Sequence, residues 1–228
     1  MERRGLQYRA AFHGCAMAFC ALLVLLGAGG VRAANPTSAD AVLQRVDDHY
    51  NHLRSLRVQF TESYAGAGMR RQESGTLLLQ KPGRMRWDYA NPAGKIFLID
   101  GKFGYSYTPG DAQAQRYPAK QLDDLRSPLR FLLGHAQLRK ELANPAVAPD
   151  GDGFTITGVP RGLGDRVTGV TLKVDGGGRI QTIAWKENDG SQTEFRLSGE
   201  ADNPMLPAGT FTFQAPPGVM VVRGLAPM

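Results

Sequence analysis

The chain has 228 residues, 42% of them hydrophobic, and a formal net charge of +6. Both cysteines, Cys15 and Cys20, fall in the first 33 residues, so no disulfide framework holds the remainder together. Removing residues 1–33 takes four of the 27 basic and one of the 21 acidic residues, leaving net +3 over 195 residues; that balance points to no nucleic-acid partner, and that length suffices for one ordinary core.

The N-terminal segment has the parts of a secretory signal peptide. Arg3, Arg4 and Arg9 give a positive start, and Cys15 to Leu26 is an apolar run of about 12 residues, short of the about 20 that span a bilayer. Val31-Arg32-Ala33 supplies a cleavage site after Ala33. Neither cysteine sits in a lipobox, since Phe19 precedes Cys20 and Phe12-His13 stand ahead of Gly14-Cys15. Residues 1–33 are therefore read as signal and 34–228 as a single exported, freely diffusing domain.

Ser38 can cap a helix, and Val42, Leu43, Val46, Tyr50 and Leu53 recur at helical spacing, which predicts an amphipathic helix over 39–53. The period then drops to two. Leu56, Val58 and Phe60 alternate with Arg57, Gln59 and Thr61; Leu77 and Leu79 mark a second strand; Met85, Trp87 and Tyr89 alternate with Arg84, Arg86 and Asp88. Ile96 to Ile99 is a short apolar run, Asp100-Gly101 a hairpin turn, and Phe103, Tyr105 and Tyr107 alternate after it. In 119–143 the leucines Leu122, Leu125, Leu129, Leu132 and Leu133 return to helical spacing, split at the cap Ser127-Pro128, and 144–153 reads as loop. Further strands are expected at Phe154–Thr157, Val170–Val174, Ile180–Trp185, Phe195–Leu197 and Phe211–Phe213, with a turn at Asp175–Gly178. About eleven strands with few helices point to an antiparallel sheet of barrel or half-barrel type.

No set of side chains reads as catalytic: there is no Gly-x-Ser-x-Gly elbow, and outside residues 1–33 no cysteine nucleophile. His49 and His52 could share a helix face, with His135 the remaining candidate for a third ligand, but no His-Glu-x-x-His spacing exists, so no metal is expected. Asp150-Gly151-Asp152-Gly153 begins like a calcium loop, but Arg161 occupies the closing position, so it reads as a turn. The informative feature is an aromatic excess on one strand face: Trp87, Tyr89, Phe97, Phe103, Tyr105 and Tyr107. Such a face is either an ordinary core against the helices or the wall of a cavity for acyl chains, which gain about 0.8 kcal/mol per buried CH₂.

Five segments in order resemble the LolA family of periplasmic lipoprotein carriers. They are Leu56-Arg57-Val58-Gln59-Phe60-Thr61-Glu62; Gly75-Thr76-Leu77 leading to Lys81-Pro82-Gly83-Arg84-Met85-Arg86-Trp87; Asp100-Gly101-Lys102; Ser127-Pro128-Leu129; and Phe211 to Val219 (FTFQAPPGV). The resemblance implies an unclosed antiparallel β-barrel under a helical lid, with no cofactor and no enzymatic step. It implies a monomer that takes acylated lipoproteins from an inner-membrane ABC transporter (LolCDE-like) and passes them down an affinity gradient to an outer-membrane receptor (LolB-like). On this reading the lipid-binding residues are Met85, Trp87, Tyr89, Phe97, Ile99, Leu129, Leu132 and Leu133. The family's lid-locking arginine falls on Lys81, which keeps the charge but not the planar fork. An inward-facing aromatic of the family falls on Met85. A carrier of free lipid and a sensor module on the same fold are the alternatives.

Overall fold

A computed structural model describes residues 38–119 and 137–224, all within one compact unit, Pro36–Met228. Helix α1 (Ala39–His52) starts where the sequence predicts: the Ala41 amide donates to Ser38 Oγ at 3.2 Å, supplying a partner to one of the first-turn amides that have none within the helix. It buries Val42, Leu43, Val46 and Tyr50, each worth about 1.5–3 kcal/mol when fully withdrawn from water.

Six strands follow as a meander: β1 (Ser55–Gly66), β2 (Met69–Gln80), β3 (Arg84–Asn91), β4 (Ala93–Ile99), β5 (Phe103–Tyr107) and β6 (Gln113–Pro118). A four-residue helix, α2 (Leu138–Glu141), leads into a second meander: β7 (Leu142–Asp150), β8 (Gly153–Pro160), β9 (Val167–Val174), β10 (Ile180–Glu187) and β11 (Gln192–Asp202); β12 (Met220–Arg223) ends the series. The two meanders join where β1 pairs β11, giving one twelve-stranded sheet in the order β12-β6-β5-β4-β3-β2-β1-β11-β10-β9-β8-β7. Its two edge strands do not pair with each other, so the sheet is unclosed. Every pairing is antiparallel except β12 with β6, which is parallel.

Turn chemistry is local and matches expectation. Asp100 Oδ1 accepts from the amides of Lys102 and Phe103, both at 2.7 Å, closing the β4–β5 hairpin. Asp175 Oδ1 does the same for Gly177 and Arg179, both at 2.8 Å, between β9 and β10. The calcium-like stretch is the β7–β8 turn: Asp150 Oδ2 accepts from Thr155 Oγ1 at 2.8 Å and pairs with Lys173 at 2.9 Å.

Three expectations are corrected. Residues 142–150 form a strand, not the end of a helix and a loop; Pro145 and Pro149 look like breakers, yet β7 is a sheet edge, where a missing donor costs no ladder bond. Phe211–Phe213 is not a strand. It lies in the non-strand segment 203–219, whose Phe213 ring stacks on Tyr105 at 4.9 Å while Arg86 Nη1 donates to the Thr210 carbonyl at 3.0 Å, so it covers a sheet face and has no edge to pair with. Strands β6 and β12 are additions to the predicted set. The two helices expected between 119 and 143 fall largely outside the described residues, α2 excepted.

Candidate functional site

The face of the sheet that meets α1, called inner here, is built from aligned rows. Leu56, Leu79, Met85, Ile99, Gly104 and Tyr117 stand opposite one another across β1 to β6. The next row is Val58, Leu77, Trp87, Phe97 and Ser106. The third is Phe60, Gly75 and Tyr89. Directly opposed residues share a face, so these rows form one continuous wall. The same hydrophobic core takes in β8 to β10 through Ile156, Leu172 and Ile183.

At the centre the rings interlock. Phe60 meets Trp87 edge to face at 4.6 Å and Tyr89 at 5.1 Å; Phe195 lies 5.3 Å from Trp87 and stacks on Trp185 at 5.7 Å. Gly75 makes the Phe60–Tyr89 contact possible. A Cβ there would stand 2.1 Å from the Asp88 carbonyl oxygen, so any side chain would push β2 off β3.

Of the residues expected to bind lipid, Met85, Trp87 and Ile99 are buried in this wall, and Tyr89 and Phe97 pack against it partly buried. Leu129, Leu132 and Leu133 lie outside the described residues, as does His135. Phe60, Trp185 and Phe195 are wall residues that sequence reasoning did not single out. Their alternation with polar neighbours was visible; Phe60 reaches Trp87 through the β1–β2–β3 meander, whereas Phe195, with Trp185 stacked on it, meets Trp87 because β1 pairs β11 across about 135 residues of chain.

The aromatic strand β5 corrects the expectation of a single aromatic face. Register places Gly104 opposite Ile99 and Ser106 opposite Phe97, so the inner face of β5 carries small residues. Tyr105 pairs with Leu98, Tyr107 with Ile96, and Phe103 shares their side, so all three aromatics point to the outer face. There Tyr105 stacks on Phe213, and Arg116 lies over the Phe103 ring at 4.8 Å.

Lys81, the expected lid lock, reaches α1. Its Nζ donates to the Tyr50 carbonyl at 2.6 Å, placing a cation at the helix C-terminus, where the dipole favours it. Partial burial lowers its pKa. Three residues of α1 make further contacts that hold it down. Tyr50 Oη accepts from the Ile180 amide at 2.9 Å and donates to Glu200 at 3.0 Å. His49 Nε2 is 2.6 Å from the other Glu200 oxygen. Asp47 accepts from the Leu138 amide at 3.0 and 3.2 Å, fastening α2 to α1; desolvation raises the Asp47 pKa against that hydrogen bond.

The two helix histidines do not converge. His52 Nδ1 contacts the Asp48 carbonyl at 2.5 Å while His49 faces Glu200. Ligand atoms of His49, Glu200 and Asp202 do lie within 4.8 Å of one another. Arg179 already engages both carboxylates there, at 3.4 and 2.7 Å, so the cluster carries its own cation.

Two polar features remain on the inner face. Among the described residues Tyr117 Oη is buried without a hydrogen-bond partner, and burial pushes its pKa up to about 12, with Ser106 near enough to temper the rise but not to bond. Beyond Phe60 and Tyr89, Glu62 stands opposite Glu73 on β2 and Phe195 on β11, so the apolar wall ends in charge. A groove of about 1050 Å³ runs along β8 to β11 and the β1–β2 hairpin; Tyr64, Val170 and Trp185 line it together with Arg70, Lys186, Arg196 and threonines, a mixed apolar and polar surface.

A family model described as "Outer membrane lipoprotein carrier protein LolA" matches residues 51–214. The chain is 30% identical over 190 residues to a Bordetella avium (strain 197N) protein named outer-membrane lipoprotein carrier protein, covering 81% of this chain and 88% of that one. A protein of the same name from Chromobacterium violaceum is 25% identical over 205 residues, covering 89% and 98%. Among solved structures, an uncharacterized conserved protein from Thermus thermophilus is 14% identical with a TM-score of 0.51, covering 82% of this chain and 99% of that one, a likeness of fold.

Proposed function

The chain belongs to the LolA family, and from that premise we propose that it is a periplasmic lipoprotein carrier. It accepts acylated lipoproteins as an inner-membrane ABC transporter of the LolCDE type releases them. It shields their acyl chains against the inner wall of the sheet and delivers them to the outer membrane through a LolB-like receptor. The observation that carries this reading is the wall itself: a continuous apolar and aromatic surface from Leu56 to Tyr117, on a sheet whose edges do not close. Acyl chains bound there leave water without any nucleotide or covalent step at the carrier.

The signal segment 1–33, cleaved after Ala33, would deliver the chain to the periplasm. The segment carrying Leu129, Leu132 and Leu133 would close over the wall as a lid. Lys81 would act through α1, since its ammonium bonds the Tyr50 carbonyl.

The test is release. Membrane vesicles containing the transporter and a radiolabelled lipoprotein are given ATP with or without the purified protein. The lipoprotein should appear in the soluble fraction, complexed with this chain. A lipoprotein that stays in the membrane while the transporter hydrolyses ATP would overturn the reading. Free lipids co-purifying with the protein, with no lipoprotein complex, would favour a carrier of simple amphiphiles.

A further inference from the structure

The end of the inner wall away from α1 is a mixed-charge cluster that the packing of the sheet does not explain. Glu62 and Glu73 face each other across β1 and β2, with side chains 13% and 6% exposed. Lys95 Nζ meets Glu73 at 2.5 Å and lies 4.3 Å from the centre of the Tyr89 ring. Arg71 reaches Glu73 at 3.4 Å from the solvent side. Glu73 is thus well served. Glu62 is not: its described partners are Tyr89 Oη at 3.5 Å and Arg71 at 3.7 Å, both long for a carboxylate withdrawn from water. Burial, then the charge of Glu73, hold the Glu62 carboxyl above its ordinary range, Lys95 and Arg71 opposing. A buried carboxylate with spare acceptor capacity costs stability and so calls for a role.

Its position suggests the role. Along the face, exposure rises from Trp87, buried, through Tyr89 to the Lys95 and Arg71 side chains at 24% and 56%. An acyl chain on the aromatic wall would have its polar end here. Resting on the carrier reading above, we propose that Glu62 accepts a hydrogen bond from the amide N–H that joins an acyl chain to a polypeptide, beside the Tyr89 hydroxyl. Glu73 and Lys95 satisfy each other and hold the floor of this subsite. The ligand class is an acyl group in amide linkage, distinguished from the same chain in ester linkage, which has no donor to offer.

The test uses two matched probes: a palmitoyl group joined to a short neutral peptide through an amide, and the same molecule with an ester there. Wild-type protein should prefer the amide by about tenfold, the value of one hydrogen bond to a charged acceptor. Glu62→Gln should cut the preference to about threefold and Glu62→Ala to about one, while Glu62→Asp keeps most of it. Far-ultraviolet circular dichroism and retained ester binding check that each variant is folded. Equal wild-type affinity for the two probes, or a preference that survives Glu62→Ala, overturns the subsite and leaves the carrier reading standing. Binding of neither probe overturns both.

Discussion

Strands β3 and β5 have nearly the same pattern, an aromatic at every second position, yet they serve opposite faces of one sheet. Trp87 and Tyr89 point inward to Phe60 and Phe195, while Tyr105 points outward to Phe213. The inner cluster is cross-braced from four strands. The outer one is a single layer under a non-strand segment, with Leu98 and Phe211 as its buried members. Alternation therefore says that a strand has two faces, and pairing says which face the aromatics occupy. The small residues Gly104 and Ser106 are the consequence: the inner face of β5 carries small side chains where the sequence suggested aromatic ones.

The difference can be broken directly. Trp87→Ala should cost about 3–5 kcal/mol in denaturant unfolding and weaken binding of a fluorescent acyl probe. Tyr105→Ala, losing a ring that is only partly buried, should cost about 1 kcal/mol and leave probe binding unchanged. Equal effects of the two on the probe would mean that the inner wall is not the binding surface.

A smaller effect sharpens how α1 is tied to the inner face. Lys81→Met removes the ammonium from the Tyr50 carbonyl and should cost about 1 kcal/mol. The loss should appear as faster hydrogen exchange in the last turn of α1, whereas Lys81→Arg, keeping the charge, should restore protection. Unchanged exchange in Lys81→Met would remove Lys81 from any account of closure.

The smallest effect concerns the charged end of the wall. The folded state holds the Glu62 proton longer than the unfolded chain, whose carboxyl titrates near 4.5, so wild-type stability falls as pH rises above that value. Glu62→Gln should therefore raise the melting temperature at pH 7, and the gain should vanish below pH 4.5, where the carboxyl is protonated in both states. A gain that persists in acid would assign it to packing instead of charge.

Much of this was legible from residues alone. Ser38 marks the start of α1, Asp100 and Asp175 close their hairpins through their own side chains, and Met85-x-Trp87-x-Tyr89 defines one side of β3; each rests on contacts within a few residues. The candidate site was legible in half. Met85, Trp87, Tyr89, Phe97 and Ile99 share the predicted face, and Phe60 joins them through the β1–β2–β3 meander, but Trp185 and Phe195 join them only through the β1–β11 pairing. The prolines of β7 read as breakers because the sequence does not say which strand lies at an edge. Phe211-Thr212-Phe213 alternates like a strand, but it rests on a face and has no partner for its backbone.

By itself, then, the sequence determined the spacing of elements, the turns between them and the relative sides of alternating residues, because those depend on local backbone sterics and side-chain hydrogen bonds. Only the tertiary structure decided which side is inner and where the apolar wall ends in Glu62, Glu73 and Lys95. It also turned the β5 aromatics outward. Those outcomes are set by the register between strands, and register is fixed by burial summed over the whole sheet and not by any one segment.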